Sequence, residues 1–240
     1  MPAATATVPS YWAVVPAAGA GRRMAMGMPK QYLPLYGSTV LEHTLNTLFA
    51  CQRIEGVVLA LSADDDYWPE IAPGFAGKNL TCIEGGVERC HSVFNAVHHL
   101  HGFADSHDWV LVHDAARPCL RADDLNELID VLSGEDCGGV LGVPVSDTMK
   151  RLDAEDRIAE TVDRRRLWHA QTPQMFRLGK LLTALERALS RGGEVTDEAA
   201  AMELAGYRPR MVCGHADNLK ITVPSDLALA EFYLRGRNTS

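Results

Sequence analysis

The sequence has no excess of positive charge. Its 23 Lys and Arg face 31 Asp and Glu, a formal net charge of −8, and the pI is near 5.6. A nucleic-acid-binding domain usually shows a basic face or stripe, so nucleic acid is not expected as the main partner. No apolar run approaches a membrane span, and residues 1–10 have neither the basic start nor the apolar stretch of a secretory signal. A cytoplasmic location with no membrane partner is expected. The six cysteines (Cys51, Cys82, Cys90, Cys119, Cys137, Cys213) form no C-x-x-C pair and no regular framework. That suits buried free thiols in a reducing compartment and gives no reason to assign them a metal or redox role. Also lacking are an evident Ser-His-Asp or Cys-His set, an H-E-x-x-H zinc helix, internal repeats and low-complexity segments.

What is present is enough apolar content, 47% of 240 residues, for one full core, so residues 1–240 are expected to form a single domain. Short apolar runs alternate with helical patterns along the whole chain. This is the signature of an α/β fold with a mostly parallel twisted sheet and helices on both faces. Strands are expected at 12–15, 56–61, 80–83, 109–112, 139–143 and 210–213. Thr39-Val40-Leu41-Glu42 has the form of a capping box, with Leu41, Leu45, Leu48 and Phe49 on one helical face. Further helices are expected at 88–100, 122–132, 180–189, 196–204 and 225–234. Residues 146–163 are charged and break this rhythm. A projecting hairpin fits them, and an excursion of this length is either a dimerisation arm or an ordinary solvated loop.

The most informative segment follows the first strand: Val15-Pro16-Ala17-Ala18-Gly19-Ala20-Gly21-Arg22-Arg23-Met24, then Pro29-Lys30-Gln31. Gly19 and Gly21 can take positive φ and let backbone N–H groups approach a ligand, while Arg22, Arg23 and Lys30 bring cations to the same loop. No Gly-Lys-Ser/Thr follows, so this is not a P-loop. Met24 stands where a dinucleotide-binding loop needs Gly or Ala for close helix-to-strand packing. The readings left are a phosphate cradle and a plain strand-to-helix turn.

Other unusual residues fall at strand ends, where ligands collect in open α/β sheets. Gly85-Gly86 opens into a helix whose N–H groups are available to an anion or a base edge, or is simply a tight turn. His113-Asp114-Ala115-Ala116-Arg117-Pro118 follows the fourth strand. Asp114 there is either a helix cap or a Mg²⁺ ligand, since Mg²⁺ commonly binds through one or two carboxylates plus substrate phosphates. Arg164 lies just beyond the excursion, and Lys220 sits in Asp217-Asn218-Leu219-Lys220-Ile221-Thr222, where a last strand is expected. An inventory of Arg, Lys, Gly and one Asp suits positioning and charge neutralisation, which phosphoryl and nucleotidyl transfer require. A phosphate monoester, with a second pKa near ~6, is largely ionised at neutral pH and needs no base to act as nucleophile.

In order along the chain, Pro16-Ala17-Ala18-Gly19-x-Gly21-x-Arg23-Met24, Pro29-Lys30-Gln31-Tyr32, Gly85-Gly86-x-x-Arg89-x-x-Ser92-Val93, Val112-His113-Asp114-Ala115-Ala116-Arg117-Pro118, Asp147-Thr148, Thr161-Val162-Asp163-Arg164 and Asp217-Asn218-x-Lys220 resemble the 2-C-methyl-D-erythritol 4-phosphate cytidylyltransferase family. The resemblance runs from about residue 12 to 233. It implies a Rossmann-like nucleotidyltransferase fold and a homodimer joined through the arm. It also implies transfer of CMP from CTP to methylerythritol phosphate with release of pyrophosphate, in the non-mevalonate route to isoprenoid precursors. By matching position, Arg23 and Lys30 would neutralise the triphosphate and Lys220 would act near the α-phosphate. Ala17, Ala18, Gly19, Gly21, Gly85, Gly86, Ser92 and Ala115 would surround the nucleotide, largely through backbone groups. Arg117, Thr148 and Thr172 would face the acceptor, Asp114 would hold Mg²⁺ or orient the substrates, and Arg164 would reach the acceptor phosphate in the neighbouring subunit. Val87 replaces an acid found in some relatives, so no ligand contact is expected of it. A cytidylyltransferase for another alditol phosphate, such as ribitol 5-phosphate, is the nearest rival. A non-catalytic nucleotide-binding module is a further one.

Overall fold

All six expected strands form, and a seventh completes one sheet. The computed structural model describes residues 8–19, 27–192 and 195–237. In chain order the described strands are β1 (Tyr11–Pro16), β2 (Pro34–Leu35), β3 (Ser38–Thr39), β4 (Ile54–Leu61), β5 (Leu80–Glu84), β6 (Trp109–Val112), β7 (Gly138–Pro144), β8 (Met149–Leu152), β9 (Ile158–Val162), β10 (Trp168–Arg177) and β11 (Arg210–Cys213). The helices are α1 (Val40–Ala50), α2 (Trp68–Ile71), α3 (Arg89–His101), α4 (Ala122–Leu132), α5 (Leu178–Ser190), α6 (Glu198–Leu204) and α7 (Pro224–Arg237). The main sheet runs β11-β7-β10-β6-β1-β4-β5, parallel throughout except for β10, which is antiparallel to both neighbours.

The central strands read as unbroken apolar runs because helices cover both faces. Ala13 and Val15 of β1, with Leu59 and Leu111, pack toward Leu41, Leu45 and Leu48 of α1 and Leu125, Leu128 and Leu132 of α4. Val14, one residue out of phase, joins Val58, Val110 and Phe176 against Val93, Val97 and Leu100 of α3 and Leu181 and Leu185 of α5. The capping box forms: Thr39 Oγ1 accepts from Glu42 N at 3.2 Å and Glu42 Oε2 accepts from Thr39 N at 2.7 Å. A third, small core of Leu33, Leu35, Val40, Ala116, Cys119, Ile221 and Ala230 ties α7 beneath the ends of the strands.

Two expectations are corrected. No strand forms around Lys220. Ile221 donates its N–H to Ala116 O at 2.9 Å and buries its side chain in the small third core, and this segment belongs to no sheet. The thiols are free, yet only Cys90 and Cys119 are buried, whereas Cys82 and Cys213 are exposed. Residues 146–163 do contain a hairpin: β8 and β9 pair antiparallel as a separate two-stranded sheet. Among the described residues, no helix is long and apolar enough to cross a membrane.

Strand order reverses beside β1, with β4 on one side and β6 on the other. The crevice beyond the carboxyl ends of β1 and β6 is where such sheets bind ligands.

Candidate active site

A cleft of about 330 Å³ opens at that crevice. Its walls carry Ala18 and Gly19 after β1, Gly86 and Ser92 around the start of α3, Asp114 and Ala115 after β6, and the two lysines Lys30 and Lys220. The loop after β1 is held from below. Gln31, buried in a 3-10 turn (Lys30–Tyr32), donates through Nε2 to Ala17 O at 2.7 Å and Gly19 O at 3.3 Å. Ala17 N continues the ladder to Ala60 O at 2.8 Å, so both backbone groups of Ala17 are used within the fold. Gly19 does not take the positive φ that its residue type allows. Instead a Cβ there would meet nothing within 4 Å, so its lack of a side chain leaves open space on the cleft wall.

Gly85 is a different case, because a Cβ would lie 2.5 Å from Ala18 Cβ and 2.8 Å from Ser92 Oγ. Only glycine lets the β5–α3 turn approach the β1 loop this closely. Ser92 then accepts from Gly86 N at 3.0 Å, which fixes the turn at the head of α3.

Asp114 is the charged centre. Arg89 donates Nε to its Oδ1 at 2.7 Å, Lys220 places Nζ 2.7 Å from Oδ2, and Arg117 Nε lies 3.7 Å from Oδ2. Burial works to raise the carboxyl pKa, but Arg89, Lys220 and Arg117 overcome it and hold the group well below the usual carboxylate range. Each oxygen already faces a cation, and a divalent ion would have to enter among three positive side chains. Asp114 therefore does not fit the Mg²⁺ ligand expected of it. Glu88 on the cleft wall is exposed. Lys30 Nζ donates to Ile221 O at 2.9 Å, which joins the first cationic loop to the segment carrying Lys220.

Beneath Asp114 runs a neutral relay. Asp114 N donates to Thr172 Oγ1 at 3.0 Å, Thr172 Oγ1 lies 2.8 Å from His113 Nδ1, and His113 Nε2 lies 3.2 Å from Arg117 O. A carbonyl can only accept, so Nε2 carries the proton and Nδ1 accepts from the threonine hydroxyl. Burial pushes the His113 pKa down to about 4, and the nearby charge of Asp114 only partly opposes this. Thr172 reaches this position because the β10–β7 register breaks between Ala170 and Gln174, which re-aims the intervening side chains.

The sequence-derived residues thus fall into groups. Ala18, Gly19, Lys30, Gly86, Ser92, Asp114, Ala115 and Lys220 meet on the cleft wall. Ala17 and Gly85 lie behind it and shape the wall. Arg117 and Thr172 lie beneath Asp114, and the Thr172 hydroxyl has its donor committed to His113. Thr148 and Arg164 sit together at the base of the hairpin, 3.5 Å apart through Oγ1 and Nη1, both exposed and away from the cleft wall. Gly21 and Arg23 lie outside the described residues. Arg89 and Glu198 had no role assigned from sequence, although one signal existed. Arg89 occupies the first turn of α3, where no acid is present and where the helix dipole disfavours a cation.

Residues 11–236 match the family described as 2-C-methyl-D-erythritol 4-phosphate cytidylyltransferase. The chain belongs to that family. It is 51% identical over 222 residues to the 2-C-methyl-D-erythritol 4-phosphate cytidylyltransferase of Pseudomonas fluorescens (strain Pf0-1), covering 92% of this chain and 94% of that one. Its fold is similar to the crystal structure of a 4-diphosphocytidyl-2C-methyl-D-erythritol synthase, with a TM-score of 0.81 at 37% identity over 94% of this chain and 99% of that one. It is likewise similar to the cytidylyltransferase of this family from Thermus thermophilus, with a TM-score of 0.77 at 30% identity over 94% and 99% of the two chains. Those structures share the mixed, mostly parallel sheet.

Proposed function

We propose that the protein transfers CMP from CTP to 2-C-methyl-D-erythritol 4-phosphate, releasing pyrophosphate. The observation that carries this reading is the pairing of Lys30 and Lys220 on one cleft wall with the closely packed glycine turn of Gly85 and Gly86. The base and ribose would lie against Ala18, Gly19, Gly86 and Ser92, with the triphosphate toward Lys30 and, by the family pattern, Arg23. The acceptor's phosphate oxygen attacks the α-phosphorus of CTP, and the bond from that phosphorus to the bridging oxygen of pyrophosphate breaks. Negative charge accumulates on the α-phosphate oxygens during the exchange, and Lys30 and Lys220 are the cations placed to meet it.

Asp114 holds Lys220 in position in this reading, with Arg117 and Thr172 supporting Asp114 from beneath. A divalent cation such as Mg²⁺ would enter on the phosphate oxygens of CTP, and no protein carboxylate is assigned to it. Thr148 and Arg164 complete the acceptor site of a second copy. A homodimer through the hairpin is supported by its exposed apolar side chains, Ile158 at 64% and Leu152 at 49% exposure. A cytoplasmic location fits the six free thiols.

Pyrophosphate release with CTP and Mg²⁺ tests the activity. Turnover is expected with methylerythritol phosphate in preference to ribitol 5-phosphate. Turnover with ribitol 5-phosphate alone would overturn the acceptor assignment, and none with any alditol phosphate would overturn the enzymatic reading.

A further inference from the structure

Glu198 is a carboxylate that is only 1% exposed, in the first turn of α6, and it is not on the cleft wall. Its two oxygens take the terminal nitrogens of Arg89, Nη1 at 2.6 Å and Nη2 at 3.1 Å. Arg89 Nε donates to Asp114 Oδ1 at 2.7 Å. The other oxygen of Asp114 then receives Lys220 Nζ at 2.7 Å. A continuous chain of charge thus runs from α6 to the lysine in the cleft.

The far end of this chain is anchored. Gln174 of β10 donates Nε2 to Asp197 Oδ2 at 2.9 Å and accepts Ala199 N at 2.8 Å through Oε1, while Asp197 Oδ1 caps Ala200 N at 2.9 Å. The first turn of α6 is therefore stapled to the sheet on both sides of Glu198. A guanidinium stays charged and presents a planar fork that pairs two-on-two with a carboxylate. Without Glu198, the half-buried fork of Arg89 would keep Asp114 as its remaining carboxylate partner and would turn onto it, competing with Lys220 for Oδ2.

We infer that Glu198 is a positioning residue of the transfer reaction: by occupying the Arg89 fork it leaves Asp114 free to fix Lys220 toward the α-phosphate. The inference rests on the proposed role of Lys220. It also accounts for the cation in the first turn of α3, since Arg89 bridges two acids drawn from α6 and the end of β6.

The test is steady-state kinetics of Glu198→Gln, Lys220→Arg and the double variant, with CTP and methylerythritol phosphate. Glu198→Gln is expected to lower kcat about tenfold or more with KM for CTP within about threefold. If Glu198 acts through Lys220, the double variant will be no slower than Lys220→Arg alone by more than about twofold, because neighbouring parts of one network are not additive. A residue needed only for folding would multiply the two losses. An unchanged kcat in Glu198→Gln, or losses that multiply, would overturn the inference. Should Glu198→Gln fail to fold, Glu198→Asp keeps the charge on a shorter side chain. It is expected to give a smaller loss that again does not multiply with Lys220→Arg, and multiplication there overturns the inference equally. Absence of wild-type turnover with methylerythritol phosphate would count against the proposed function instead. The same cycle run with whichever alditol phosphate is accepted would still read the coupling.

Discussion

His113 and Asp114 are adjacent buried residues held in opposite charge states. The imidazole is kept neutral, whereas the carboxylate is kept ionised by Arg89, Lys220 and Arg117 despite burial. Both folded-state pKa values are lowered, so in both cases the unfolded chain binds more protons and stability rises with pH. The acid ends of the two windows differ. Asp114 loses its contribution only as pH falls below the ordinary aspartate range, whereas His113 loses it between its unfolded value, near ~6.5, and its folded value of about 4. Stability measured by urea titration is therefore expected to fall by about 2 kcal/mol from pH 7 to pH 5. His113→Gln should remove most of that slope. Lys30 makes a separate residue-scale prediction. Lys30→Ala should reduce kcat by about a hundredfold with a smaller change in KM for CTP, because its charge matters most as the α-phosphate becomes five-coordinate. Single-turnover kinetics check it, and an unchanged rate would remove Lys30 from the chemistry.

At the scale of elements, the meeting of the β1 loop and the β5–α3 turn depends on one missing methyl group. Gly85→Ala would drive Cβ into Ala18 and Ser92, at an overpacking cost of about 1–3 kcal/mol. KM for CTP is expected to rise by about tenfold, more than kcat falls, if the displaced groups line the nucleotide as proposed rather than the reacting phosphate. The covered strands were legible in sequence because burial on both faces leaves a continuous apolar run, and α1 was legible through its caps. Strand β10 was not. Gln171, Thr172, Pro173 and Gln174 interrupt its apolar pattern, and proline is out of place in a central strand unless the ladder breaks there, as it does between Ala170 and Gln174. In the site, Lys30, Asp114 and Lys220 could be picked out from their loops and their flanking residues. The orientation of Arg117 and Thr172 beneath Asp114 depends on that register break. The Arg89–Glu198 pair spans 109 positions, a separation that no local pattern encodes.

For the whole molecule, the proposed site is shared between two copies. If Arg164 reaches across the dimer, inactive Arg164→Ala and Lys30→Ala proteins mixed under conditions of verified subunit exchange should regain about a quarter of wild-type activity. One of the two sites in each mixed dimer then carries both intact residues, and mixed dimers form about half the population at equal amounts. A mixture that stays inactive would return Arg164 to its own subunit's site.

The hairpin that carries Thr148 and Arg164 leaves the sheet from β7 and returns into β10, which are hydrogen-bonded neighbours. Pro144 pairs with Trp168, and Val145 N donates to Leu167 O at 2.9 Å. Its two ends are thus already held together by the sheet, whatever lies between them. Lengthening a loop whose ends are pinned adds only about 0.6 kcal/mol per doubling, so the excursion can change in length and sequence at little cost to the core. The walls proposed for the nucleotide, by contrast, are carried on the short turns after β1, β5 and β6, where Gly85 has no room for a side chain between Ala18 and Ser92. In the proposed reading the acceptor-reading residues therefore sit on a replaceable module and the CTP-reading residues on a fixed one, a division that would let acceptor preference diverge while use of the same nucleotide persists.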